Sequence, residues 1–233
     1  MNFIDKNPWI LLLPGLIVLA LLSLIPFGYA VNLSLHDLDL SKPYLGNPFV
    51  GAANFGYIFK DPRAIGAFAN TLLIVGGAVL IETLLGLMVA LLLHQIGKGK
   101  DIVIILMVLP MLLSRVVVAL LWKILYHPVI GPINWFMNEF FGVSHIEWLA
   151  NPFLTRFSVI MTDAWQWTPF MILILSAGLD MLPEDTYEAA RIDGASPWKT
   201  FLYITIPLLI PVMGVAILFR GIEALRTFDL IYV

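Results

Sequence analysis

The chain has 233 residues, of which 60% are apolar and 12% charged, whereas soluble domains run near about 45–50% and about 25%. A net charge of −3, with no basic patch interleaved with aromatics, excludes nucleic acid as a partner. There are no cysteines, which excludes disulfides, thiolate catalysis and cysteine metal sites.

A bilayer crossing takes about 20 apolar residues in a helix. Five stretches meet that length: residues 9–31, 71–93, 102–126, 157–179 and 201–219. The first is longer than a signal-peptide core and lacks a small-residue cleavage site, so it reads as a retained span. Residues 32–69 hold Pro43, Pro48 and Pro62 with Tyr44, Phe49, Phe55, Tyr57 and Phe59, a partly ordered segment at the membrane interface. Gly76, Gly77, Gly86 and Ala90 give the second span small residues that let helices approach closely. Residues 94–101, HQIGKGKD, form a tight basic turn. Residues 127–156, with Pro128, Gly131, Pro132, Trp135 and Trp148, predict a short interfacial helix between turns. No repeat divides the chain, so residues 1–233 read as one transmembrane domain of all-α class, a polytopic bundle of five spans.

Lys98 and Lys100 in the shortest loop place residues 94–101 and the N-terminus on the cytoplasmic side. Lys42, Lys60 and Arg63 in the first loop, and Arg220 and Arg226 beyond the fifth span, weigh against that orientation and leave the total near balance.

The polar connection after Leu179 reads DMLPEDTYEAARIDGASPWKTFLYITIP. Pro183 suits the first turn of a short helix, and Glu184 and Asp185 complement its positive end. Gly194 suits a left-handed cap. Ser196 and Pro197 then start a second helix that runs through Trp198 and Phe201 into the fifth span. On the first helix Tyr187, Ala189, Ala190 and Ile192 scatter round the wheel. The alanine pair therefore leaves a flat face for a partner's groove.

The spacing is also specific. Glu188-Ala189-Ala190, three residues, Gly194, nine residues, Ile204, one residue, then Ile206-Pro207 resembles the signature of binding-protein-dependent ABC importer permeases. Ile206 replaces the usual leucine. TYEAARIDGAS with WKTFLYITIP, AWQWTPF in the fourth span, Leu109-Pro110 with Trp122, Gly131 with Asn134, and the closing FDLIYV are similar to the carbohydrate-uptake branch, which includes maltose and glycerol-phosphate permeases. The resemblance implies a cytoplasmic helix-turn-helix docking loop over residues 180–207. In it Glu188 anchors by charged hydrogen bonds, Ala189 and Ala190 give close contact, and Gly194 makes the turn. Asp193, Ile204 and Pro207 complete the loop. It further implies a multi-pass protein of a bacterial or archaeal cytoplasmic membrane. The implied partners are a second permease subunit, two ABC ATPase subunits, an extracytoplasmic solute-binding protein and the lipid bilayer. No cofactor is expected on this chain; ATP and magnesium belong to the ATPase. Family members continue past FDLIYV with a sixth span, so the expectation is a chain cut short of it.

Ionisable residues within spans are functional candidates by default. Glu82 and Arg115 lie about 12 and 14 residues from the turn that joins their spans, roughly 18 and 21 Å of helix. That similarity predicts an ion pair, serving either packing or substrate contact. Asp163, Gln166 and Trp167 sit with Trp165 and Thr168 in the fourth span. They can line a carbohydrate path, since sugars present both C–H faces and hydroxyls, or form an aromatic belt. The four histidines have no metal-ligand spacing, and GKGK at 97–100 lacks phosphate-loop spacing. Three function classes remain: the importer permease, an integral membrane enzyme acting on lipid (for which no nucleophile or acid–base constellation is evident), and a secondary transporter.

Overall fold

A computed structural model describes residues 9–38, 46–96, 99–143 and 145–226. Lys42, Tyr44, Lys98 and the FDLIYV segment lie outside the described residues. The chain divides into two compact units, residues 1–69 and 70–233.

The first unit opens with helix α1, Trp9–Ser34, which contains Pro14 and Pro26 and exposes large side chains such as Leu11, Leu22, Ile25 and Phe27. The segment after it folds back locally. His36 and Phe49 form an isolated antiparallel bridge, and Asn54 donates to the carbonyls of Ser34 and His36 at 2.9 and 3.0 Å. Asn54 belongs to the short helix α2, Ala53–Ile58. Around it Phe49, Phe55, Tyr57 and Phe59 are exposed. Helix α3, Pro62–His94, starts earlier than the predicted span because Asp61 accepts from the Arg63 N–H at its first turn.

In the second unit α3 packs with α7, Pro152–Asp180, and α10, Ile206–Ala224. Their shared core holds Val79 and Ala90, then Met171, Leu175 and Leu179, then Leu209, Ala216 and Ala224. Among the described residues three helices are long and apolar enough to cross a membrane, α1, α3 and the helical run Pro197–Ala224, and a bent pair over residues 100–125 makes a fourth if it counts as one span. The fourth predicted span, α7, has the length at 29 residues but is less apolar. It is also heavily buried, enclosing Ser158, Thr162, Asp163, Gln166 and Ser176. A helix surrounded by protein can carry polar groups that lipid would not tolerate.

The predicted continuous helix over residues 102–126 is corrected. Helix α4, Lys100–Val108, passes into a 3-10 turn at Leu109–Leu112, and α5, Arg115–Leu125, leaves at 91° to it. Pro110 has no N–H to give the preceding turn, so the α ladder loses a bond where it tightens to the 3-10 turn, while Leu109 itself keeps helical angles. Leu113 and Ser114 are extended, and the Ser114 hydroxyl caps α5 by accepting from the Val117 N–H at 3.4 Å. After Gly131 the predicted short helix forms as α6, Pro132–Phe141. Asn134 pins its flanks, donating to the carbonyls of His127 and Ile146 and accepting from the Ile146 N–H.

Candidate functional site

Two places in the second unit gather the polar groups. The first is a charged centre between α3, α7 and α10. Arg220 of α10 is 1% exposed. Its Nε lies 2.7 Å from Glu82 Oε2 and its Nη2 donates to Glu82 Oε1 at 2.8 Å, a two-point fork. The same Nη2 donates to Asp163 Oδ2. One buried guanidinium thus holds two buried carboxylates from two other helices. The Arg220 guanidinium also sits over the Trp167 ring, 5.0 Å from its centroid. Arg115 lies near the same ring at 5.7 Å, within the range of a cation–π contact.

Arg115 occupies the first residue of α5, where a cation opposes the helix dipole. Glu223 offsets this, accepting from Arg115 Nη2 on its Oε1 at 2.7 Å and on its main-chain carbonyl at 3.3 Å. Gln166, 1% exposed, donates through Nε2 to the Leu113 carbonyl at 3.0 Å. That carbonyl is left without a helical partner by the break, so Gln166 replaces the missing ladder bond. Replacing Gln166 with leucine is therefore expected to destabilise the fold by about 1 kcal/mol, the net worth of one part-buried hydrogen bond. Thermal unfolding of the purified assembly measures it, and an unchanged midpoint counts against the role. On the α5 side of the same helix the rings of Trp165, Trp122, Tyr126 and Trp148 follow one another at 5.2–5.7 Å.

The second place is the loop after α7. Helix α8, Glu184–Ile192, carries Glu184 and Asp185 in its first turn and Arg191 in its last. Pro183 is its N-cap rather than a first-turn residue. Its C-terminus closes as a full Schellman motif: the Ala195 N–H bonds the Ala190 carbonyl at 2.9 Å, and the Gly194 N–H bonds that of Arg191 at 3.1 Å. Gly194 stands at φ +71, where a side chain costs about 1–2 kcal/mol. Ser196 then caps helix α9, Pro197–Thr200. A π-helical turn, Phe201–Thr205, joins it to α10. Pro207 has no N–H to give Tyr203, and the turn before it widens. Tyr187 of α8 and Thr205 of the π turn share a hydrogen bond of 3.0 Å, so the two arms of the loop are tied.

Behind α8 lies a groove of about 480 Å³ lined by His94, Asp180, Glu184, Tyr187, Glu188 and Arg191. Lys100 Nζ donates to Asp180 Oδ2 at 2.5 Å and His94 Nδ1 lies 3.1 Å from Asp180 Oδ1. These joints clasp the ends of α3, α4 and α7. The Lys100 ammonium, helped by His94, holds the Asp180 carboxyl below the usual carboxylate range against a smaller opposing effect of burial.

With this geometry in place, the comparisons with known proteins are decisive. The family profile described as "Binding-protein-dependent transport system inner membrane component" matches residues 83–233. The trehalose/maltose transport system permease protein MalF of Thermococcus litoralis is 36% identical over 228 residues, covering 98% of this chain and 76% of that protein. The chain belongs to this family of inner-membrane transport components. The trehalose transport system permease protein SugA of Mycobacterium tuberculosis is 33% identical over 97% of this chain and 71% of its own length. A bacterial ABC transporter involved in the import of the acidic polysaccharide alginate shares the fold, with a TM-score of 0.77 at 24% identity over 96% of this chain and 76% of that one. The chain is thus a multi-pass permease with an all-helical fold, the membrane component of a binding-protein-dependent transport system, and neither a lipid enzyme nor a secondary transporter.

Within the permease, the structure gathers Glu82, Asp163 and Trp167 round Arg220 and sets Gln166 and Arg115 at the neighbouring break. The predicted Glu82–Arg115 ion pair is corrected: Glu82 pairs with Arg220, and the carboxylate on Arg115 is that of Glu223. Equal depth along two helices says nothing of the side each residue faces, and the break turns Arg115 away from a straight path. Arg220 is also not an outer-side charge, since α10 continues through it to Ala224. The same depth arithmetic was able to find it: Arg220 lies about 13 residues past Pro207, roughly 20 Å of helix, level with Glu82. In the loop, Glu188, Ala189 and Asp193 are exposed, whereas Ala190 is buried at 6%. The flat two-alanine face is corrected accordingly, because Thr186, Tyr187 and Ala190 turn toward the permease itself. Ile204 lies half-buried in the π turn and Pro207 is exposed at the start of α10.

Proposed function

We propose that this permease carries a carbohydrate or a related small solute, delivered by an extracytoplasmic binding protein, across the membrane by alternating access. The carried solute class is supported by the trehalose/maltose and trehalose permeases, which align with nearly the whole chain. The energy comes from ATP, with magnesium, on two separate ATPase subunits, and a second permease subunit completes the membrane part. The chain contributes five spans, with α4 and α5 together forming the third. Its N-terminus and residues 94–101 and 180–200 face the cytoplasm.

One observation carries the coupling role: the loop is a prebuilt rigid body. Its turn is closed by two Schellman bonds and tied by Tyr187–Thr205, yet Glu188 and Ala189 remain exposed on it. Such a body transmits force from an ATPase cleft into α10, with which it is continuous. Glu188→Ala is expected to reduce ATP-driven solute uptake at least about tenfold, the effect of losing one to two charged hydrogen bonds at an interface, and Gly194→Val is expected to reduce it as well, by straining the turn at φ +71. ATP hydrolysis by the ATPase subunits and the unfolding midpoint of the permease should change little in Glu188→Ala. Uptake that remains coupled in proteoliposomes for both variants overturns the docking role.

A further inference from the structure

Neither helix α4 nor the 3-10 turn that follows it has a buried residue, although both lie against α7. Side-chain packing within the subunit therefore does little to seat them, and two polar joints fasten their ends. At one end Lys100, the first residue of α4, donates from Nζ to Oδ2 of Asp180, the last residue of α7, at 2.5 Å. At the other end Gln166 of α7 holds the Leu113 carbonyl. The stretches from Lys100 to Leu113 and from Gln166 to Asp180 each run roughly 20 Å. They match in length and lie antiparallel, so α4 forms a strut along the second half of α7. Beyond the strut the chain bends: Leu113 and Ser114 are extended and α5 leaves at 91°.

The joint at Asp180 also adjoins the docking loop. Met181 and Leu182 turn back onto α7, their N–H groups donating to the carbonyls of Gly178 and Leu179 at 3.3 and 3.2 Å, and Leu182 packs against the shared core. Pro183 then caps α8. The connection from Asp180 to the helix that carries Glu188 is thus short and hydrogen-bonded. The other Asp180 oxygen lies 3.1 Å from His94 Nδ1, on the last residue of α3. One carboxylate therefore gathers the ends of three helices at the root of the loop, with one oxygen for each neighbour.

We propose that Asp180 and Lys100 are positioning residues for energy coupling: their ion pair bolts α4 to α7, so that a movement of the docking loop reaches the bend at Leu113–Ser114. This rests on the docking role proposed above. Exposed ion pairs add little to stability, and the Asp180 side chain is 49% exposed. The clasp therefore acts through direction rather than strength. Without it the start of α4 slips along α7, and the movement is lost before the bend.

Two measurements on the complete transporter in proteoliposomes test this. The chain has no native cysteine, so Asp101→Cys and Met181→Cys, at exposed positions beside the clasp, carry a pair of spin labels with the other subunits made free of cysteine. With the clasp intact the distance between labels is expected to keep one peak without and with ATP, and Lys100→Met is expected to lose that single peak. In the unlabelled transporter, with trehalose as the probe, Lys100→Met and Asp180→Asn are expected to raise the ATP hydrolysed per trehalose imported at least about fivefold, the lower end of a coupling free energy between sites. Lys100→Arg keeps the cation and should stay within about twofold of the parent, and the unfolding midpoint should change little in all three. A peak that shifts on adding ATP with the clasp intact overturns the proposal. So does a Lys100→Met variant that keeps the parent's peak, or a midpoint that falls in step with the ratio, which marks a merely structural role. The distances need no solute, so they decide the matter even where trehalose is not carried. Failure of the docking role shows separately, as Glu188→Ala that leaves coupling intact.

Discussion

Replacing Arg220 with methionine is expected to destabilise the permease by about 3–5 kcal/mol, the loss seen when one member of a buried ion pair is removed. Glu82 and Asp163 would remain in the protein interior, 0% and 3% exposed, with no cation between them. The penalty is the desolvation of two stranded carboxylates rather than the worth of the pairing itself. Two further variants separate these terms. Arg220→Lys keeps the charge but loses the fork onto Glu82, so it should recover only part of the loss. The triple variant Glu82→Gln, Asp163→Asn, Arg220→Met removes every charge and should recover most of it. Thermal unfolding of the assembled transporter in detergent checks all three. A single Arg220→Met variant as stable as the parent refutes the view that this triad locks α3, α7 and α10 together.

Replacing Gly86 is expected to force α3 and α7 apart. A Cβ at this position would lie 2.5 Å from the Met171 Cβ, 3.2 Å from its main-chain carbon and 3.3 Å from the Ile172 nitrogen. Those atoms belong to the α7 backbone and the root of a side chain, so no rotamer change relieves the contact and the helices must separate. Gly86→Ala is expected to cost about 1–3 kcal/mol as an overpacked site, and Gly86→Val more. Gly76 is the control. A Cβ there meets nothing within 4 Å of this chain, so Gly76→Ala should be neutral or slightly stabilising through helix propensity alone. Equal unfolding midpoints for Gly76→Ala and Gly86→Ala overturn this account. Within the small-residue run of the second span, Gly86 meets the α7 backbone, Gly77 meets only the tip of the Ile160 side chain, and Gly76 meets nothing.

Both effects depend on which helix faces which, and there the limit of the sequence is plain. Pro183, Gly194, Ser196 and Pro197 act on their own backbone within a few residues. Capping rules therefore placed α8, the turn and the following helix before any tertiary contact was known. The break after Val108 was also written locally, in Leu109-Pro110 and the capping Ser114, but the unbroken apolar character of residues 102–126 masks it. Apolarity measures transfer into lipid and is indifferent to a bend. Ala190 was misjudged for a related reason. A short helix with few apolar residues shows little stripe, yet Tyr187 and Ala190 suffice to turn one side inward once Thr205 offers a hydrogen bond.

By itself the sequence determined that this protein is a helical membrane permease, where its apolar stretches lie, and how the loop between Glu184 and Pro207 starts, turns and restarts. Composition and capping are properties of neighbouring residues, and the spacing from Glu188 to Pro207 needs no partner to be read. Only the tertiary structure decided that Arg220 holds Glu82 and Asp163, that Arg115 turns to Glu223, and that Gln166 spans the gap at Leu113. Depth along a helix follows from residue number at about 1.5 Å each, but direction changes by about 100° per residue. Which charge meets which is therefore fixed by how the helices pack, with Gly86 setting how closely α3 meets α7.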